Sequence, residues 1–80
     1  MKVEYRQLFL KDLKKLKKTE FYDRVYELVF MSLVVADDLQ NFTNVKAMVG
    51  HPNHYRIRMG DYRIGLIIQD DSIEMMRVLH

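Results

Sequence analysis

The chain has no cysteine, so neither a disulfide framework nor a thiolate zinc site is open to it. It has no apolar stretch fit for a membrane. The longest, Leu28 to Ala36, contains Ser32 and falls far short of the roughly 20 residues that a spanning helix needs. The N-terminus, Met1-Lys2-Val3-Glu4-Tyr5-Arg6, lacks the apolar segment of a secretory signal. There is no internal repeat, low-complexity tract or linker. Nor is there a large charge of one sign: a formal net charge of +2 and a pI near 9.0 are too mild to announce a nucleic-acid binder, so the case rests on where the charges sit. The three histidines lack zinc-site spacing, so neither a metal nor a cofactor is expected. These absences leave a soluble cytoplasmic protein with no membrane contact as the expectation.

What is present is enough to fold. Eighty residues, 49% of them apolar, read as one domain over residues 1–80 with a real core. Alternation predicts a first strand over Val3 to Leu8. From Phe9 the period changes. Phe9, Leu13 and Leu16 fall on one helical stripe, away from Lys11, Lys14, Lys15 and Lys18, which predicts an amphipathic helix from Phe9 to Lys17. Thr19 can cap a second helix running from Phe21 to Ala36. Its late part, Leu28 to Val35, also reads as a strand; the unbroken pattern from Phe21 favours helix. Val45 to Val49 reads as a short extended piece, and Gly50-His51-Pro52-Asn53 as a turn.

The most telling stretch is Tyr55-Arg56-Ile57-Arg58-Met59-Gly60-Asp61-Tyr62-Arg63-Ile64, a β-hairpin closed by a two-residue Gly-Asp loop. That loop pairs Met59 with Tyr62, Arg58 with Arg63, Ile57 with Ile64 and Arg56 with Gly65. Two arginines then stand opposite each other, which destabilises a sheet unless an anion belongs there. For the following hairpin, a three-residue loop at Asp70 to Ser72 keeps both faces consistent by pairing Ile64 with Val78, Gly65 with Arg77 and Leu66 with Met76. One face would carry Tyr55, Ile57, Met59, Tyr62, Ile64, Leu66, Met76 and Val78. The other would carry His54, Arg56, Arg58, Arg63 and Arg77, with no acid among them and Gly65 leaving room for a ligand to approach the backbone. The alternative is an ordinary solvated strand face. The fold class is α+β: a small antiparallel-rich sheet packed on one face by two N-terminal helices.

Three segments together are similar to the RelE/ParE superfamily of bacterial type II toxin–antitoxin toxins. Phe9-Leu10-Lys11-Asp12-Leu13-Lys14-Lys15-Leu16 resembles its F-x-K-D-L-x-K-L first helix. Gly50 to Ile64 resembles its g-x-P-x-x-Y-R-I-R-x-G-D-Y-R-I signature, and Arg77-Val78-Leu79-His80 the start of its R-V-x-H-R…Y closing segment. The resemblance implies a toxin held by a cognate antitoxin, in complexes with it. In RelE-type members it implies a ribosome-dependent mRNA endonuclease, and in ParE-type members an inhibitor of DNA gyrase. The basic positions that grip the scissile phosphate in RelE-type enzymes match Arg56, Arg58 and Arg63. Those enzymes also use an arginine just after the position of His80 and a tyrosine beyond it. The chain stops before both, so it is expected to bind antitoxin and RNA but to cleave poorly, or to be a catalytically impaired toxin that still binds antitoxin.

Metal-independent RNA cleavage by 2′-hydroxyl attack suits an arginine face, because fixed guanidinium groups stabilise a dianionic phosphorane. Arginine does not deprotonate in the useful range, so proton transfer needs another group. His80 and His54 are the candidates, and His51 beside Pro52 is a turn residue. Arg77 would flank the site and help bind substrate. Lys14 and Lys15 belong to the wet side of a helix, with RNA-backbone contact as the second reading. Surplus apolar surface around Phe30, Met31 and Val34 offers a groove for an antitoxin helix.

Overall fold

The computed structural model describes residues 1–80. Strand β1 (Lys2–Tyr5) leads into helix α1 (Gln7–Lys15). A second helical segment follows as α2 (Phe21–Glu27), a π-helical turn (Leu28–Ser32) and α3 (Leu33–Val35). Strands β2 (Val45–Ala47), β3 (His54–Met59), β4 (Tyr62–Gln69) and β5 (Ser72–Leu79) complete a five-stranded sheet in the order β1-β5-β4-β3-β2. Only the β1–β5 pairing is parallel. The α+β expectation holds, with both helical segments on one face of the sheet. The first strand and first helix start earlier than expected, because Arg6 leaves the ladder and Gln7 opens the helix.

The helices form because each offers one apolar stripe. Phe9, Leu13 and Leu16 come from α1 and its cap, and Val25, Val29 and Leu33 from the second segment, spaced one turn apart. They close over Ile57, Ile64, Leu66, Ile73, Met75 and Val78 of the sheet. Thr19 joins the two segments: its hydroxyl donates to the Leu16 carbonyl at 2.9 Å and accepts the Phe21 N–H at 3.2 Å. It therefore ends one helix and starts the next. Leu28 to Val35 is helical rather than extended, but not uniformly so. Leu33 N–H reaches back to the Leu28 carbonyl, and the Val29 carbonyl accepts a 2.6 Å bond from the Tyr5 hydroxyl. The Tyr5 ring stacks on Phe30 at 4.5 Å, and burial raises the Tyr5 hydroxyl pKa. Phe30 is thus held in an aromatic stack with Tyr5 and Tyr26 and adds less open surface than its position suggests.

The β3–β4 hairpin has the expected register, from Met59 opposite Tyr62 to Arg56 opposite Gly65. Of the loop pair only Gly60 takes a left-handed φ, +58°. A Cβ on Gly60 would lie 2.5 Å from the Phe21 ring, which itself packs on Tyr62 at 5.1 Å. Gly60→Ala is therefore expected to lower the urea midpoint by about 1–2 kcal/mol equivalent with an unchanged slope, combining left-handed strain with displacement of Phe21. An unchanged midpoint would show that the ring yields without cost.

The β4–β5 hairpin differs from expectation in an instructive way. Its loop is the two-residue one, with Gln69 opposite Ser72, and a β-bulge between Gly65 and Leu66 restores the later register. Ile64 does face Val78 and Gly65 does face Arg77, but Leu66 pairs with Met75, not Met76. Met76 is the extra residue. Met75 is fully buried in the core, while Met76 turns to the arginine side. The alternation rule alone has no way to express a residue that changes phase in mid-strand.

Candidate functional site: a cationic sheet face

Side chains on the sheet face away from the helices fall into rows across the strands. One row runs Lys46, Arg56, Gly65, Arg77 from β2 to β5. The next runs Arg58, Arg63, Leu79. A third, nearer the other end, runs His54, Ile67, Glu74. The rows border a cleft of about 390 Å³ whose lining includes Arg56, Arg63, Arg77, His54 and His80, with Met48, Met76 and Leu79 as apolar wall. Gly65 lies in its floor, and a Cβ there would meet nothing within 4 Å. The glycine keeps open space over the backbone between cations on both sides.

The expectation that no acid shares this face needs correcting twice. The two-residue loop sets Glu74 opposite Ile67 and so onto it, where Arg6 binds its carboxylate at 2.7 and 3.4 Å and holds its pKa below the usual range. Asp12 of α1 reaches round the edge of β5, where β1 has ended. Its carboxylate accepts Arg77 Nε at 2.7 Å, Arg77 Nη2 at 3.1 Å and the Val78 N–H at 3.0 Å. The hydrogen bond from Arg77 is the main cause of the lowered Asp12 pKa. Arg77 therefore stands in the cleft wall as expected, but as half of an ion pair. Both acids are already matched. Lys46, Arg56, Arg58 and Arg63 have no ion-pair partner.

The histidines take different positions. His54 lines the cleft, and its Nδ1 lies 2.8 Å from the Pro52 carbonyl. A carbonyl only accepts, so the neutral ring carries its proton on Nδ1 and leaves Nε2 with a lone pair. His80 lies at the opposite end of the cleft, edge-on to Tyr62 at 5.1 Å. Lys14 and Lys15 are exposed on α1 and do not line the cleft; α1 packs across the sheet from the arginines. Lys46 and Asp12 escaped the reading of the sequence. Asp12 carried a signal, since it falls on the Phe9–Leu13–Leu16 stripe, and an acid at a core position calls for a partner. Lys46 carried none, because its place depends on which strand β2 joins.

A helix-backed five-stranded sheet whose far face gathers unmatched cations over a glycine floor is the architecture of one class of small protein, and the chain belongs to it: the RelE/ParE superfamily of type II toxin–antitoxin toxins. Residues 3–80 match the family model described as the ParE toxin of the type II toxin–antitoxin system parDE. Toxin RelE3 of Methanocaldococcus jannaschii is 36% identical over 81 residues, which cover 100% of this chain and 90% of that protein. The toxin in a crystal structure of the RelB–RelE antitoxin–toxin complex from Methanococcus jannaschii superposes with a TM-score of 0.79 at 31% identity, covering 96% of this chain and 88% of that one. The fold is shared with the RelBE2 toxin–antitoxin complex of Mycobacterium tuberculosis, at a TM-score of 0.74 and 23% identity over 99% of this chain and 95% of that one. No helix is long and apolar enough to cross a membrane.

Proposed function

We propose that this chain is a RelE-type toxin, a ribosome-dependent endoribonuclease that cuts mRNA in the cytoplasm. The observation that carries the reading is the cluster of arginines without carboxylate partners around one cleft. The RelE name of a relative similar over the whole chain supports it. In the reaction the 2′-oxygen attacks the adjacent phosphorus, the bond to the 5′-oxygen breaks, and a 2′,3′-cyclic phosphate and a 5′-hydroxyl result. Arg56 and Arg63, which line the cleft, hold the phosphate, and Arg58, opposite Arg63 at its border, adds to the charge that neutralises it. His54 Nε2 accepts the 2′-hydroxyl proton, and His80, at the other end of the cleft, delivers one to the leaving oxygen.

The partner of such a toxin is an antitoxin, as in the RelB–RelE complex. Met31, Val34 and Val35 on the outer side of the second helical segment are exposed and give it an apolar strip. The matching ParE family model favours a second reading, a gyrase inhibitor. Induced expression separates the two. The first reading expects translation to stop, with mRNA broken within ribosome-occupied codons. Normal translation with trapped gyrase–DNA complexes would replace it with the second.

A further inference from the structure

Beside the cleft, on its β2 side, lies a slot of about 100 Å³ lined only by Asn44, Lys46, Arg56 and Arg58. Lys46 is the cross-strand partner of Arg56, and Arg58 stands two residues on along the same face. No carboxylate pairs with any of these cations. Like charges set side by side on a sheet repel, and an anion between them relieves the repulsion. Arg56 lines both the slot and the cleft. The two sites differ in character, however. The cleft has the apolar wall of Met48, Met76 and Leu79, whereas no apolar residue lines the slot.

We propose that the slot is a second phosphate-binding subsite, which takes the phosphate of a neighbouring nucleotide on the same RNA strand as the one reacting in the cleft. The proposal rests on the RNA reading above and adds Lys46 as a binding residue. The absence of apolar lining suits a phosphate and leaves the nucleobase to the cleft. Two guanidinium forks, an ammonium and an amide supply donors in number for the outer oxygens of a phosphodiester. Neighbouring strands lie about 5 Å apart, so the passage from the cleft floor on β4 to the slot between β3 and β2 is about 7 Å, the separation of successive phosphates on a single strand. The bound strand then crosses the sheet from β5 toward β2, with Arg56 shared between successive phosphates. The preferred ligand is a single-stranded polynucleotide, not a mononucleotide.

The test compares parent chain, Lys46→Gln and Lys46→Arg by fluorescence anisotropy with a fully 2′-O-methylated RNA oligonucleotide, which cannot be cleaved. A nucleoside 3′-monophosphate serves as a probe of the cleft alone. Lys46 is exposed at the sheet edge, so all three proteins should share one thermal midpoint. Lys46→Gln is expected to weaken oligonucleotide binding roughly 5-fold at low salt and to reduce the slope of log affinity against log salt by about 0.7, the contribution of one phosphate contact on a single strand. Monophosphate binding should stay the same, and Lys46→Arg should restore the oligonucleotide. Unchanged affinity and slope in Lys46→Gln would overturn the slot and leave the RNA reading standing. A parent chain that binds neither probe would overturn the slot, while the RNA reading is judged separately by mRNA breakage on ribosomes. Loss of binding to an acidic peptide, with RNA binding intact, would assign Lys46 to a protein contact and overturn the proposal.

Discussion

Arg58→Ala and Arg63→Ala should each fold as well as the parent chain and lose its toxicity. The two residues face each other across β3 and β4 and neither has an acidic partner, so truncating one removes repulsion and breaks no ion pair. The thermal midpoint should stay level or rise slightly. Cleavage of ribosome-bound mRNA should fall by about 10²–10³-fold for each, the usual cost of removing one positioned donor to transition-state charge. Screening gives an independent check: added salt should stabilise the parent more than either variant, because it weakens a repulsion that the variants lack. A midpoint lowered by several degrees with toxicity retained would return both arginines to a structural role.

Asp12→Ala should do the reverse and cost the fold more than any change on the arginine face. It leaves the Val78 N–H and the Arg77 guanidinium without their acceptor at the edge of β5. The side chain of Arg77 is 42% exposed, so water recovers part of the loss, and about 2 kcal/mol is expected. In a domain of this size each kcal/mol moves Tm by about 4–8 °C. Asp12→Asn keeps one acceptor oxygen and should lose less. The pH dependence follows from the lowered Asp12 pKa, for which the hydrogen bond from Arg77 is the first cause. A depressed carboxylate contributes stability above its unfolded value, about 3.9, and loses it as pH falls through the lower folded value. The gap between the parent and Asp12→Asn should therefore be full at neutral pH and close below about pH 4. A gap that stays constant through this range would show that the charge on Asp12 contributes nothing.

The parts of the fold legible in the sequence were those set by local repetition. The apolar stripe on α1 and the Arg-x-Arg alternation around Gly60-Asp61 each fixed their own geometry within a few residues, and the register of β3 on β4 followed. The site was half legible for the same reason. His54, Arg56, Arg58 and Arg63 lie within one hairpin, so parity placed them together. Lys46 comes from a strand of three residues whose neighbour parity does not identify. Asp12 meets Arg77 across 65 positions, and nothing local joins them. The π-helical turn was hidden because Leu28 to Val35 is apolar on most sides, and periodicity cannot report a change of helical pitch without a polar face to mark it.

The bulge at Met76 sets how this hairpin can tolerate change in length. Ile73 and Met75 keep phase with the core before it, and Arg77 keeps phase with the cations after it. Deleting Met76 alone would leave Met75 opposite Leu66 and Arg77 opposite Gly65 as neighbours in plain alternation, inward then outward, so neither half of β5 would have to turn over. The bulge residue is thus dispensable to the register on either side of it, and a hairpin one residue shorter can keep both its core and its arginine face.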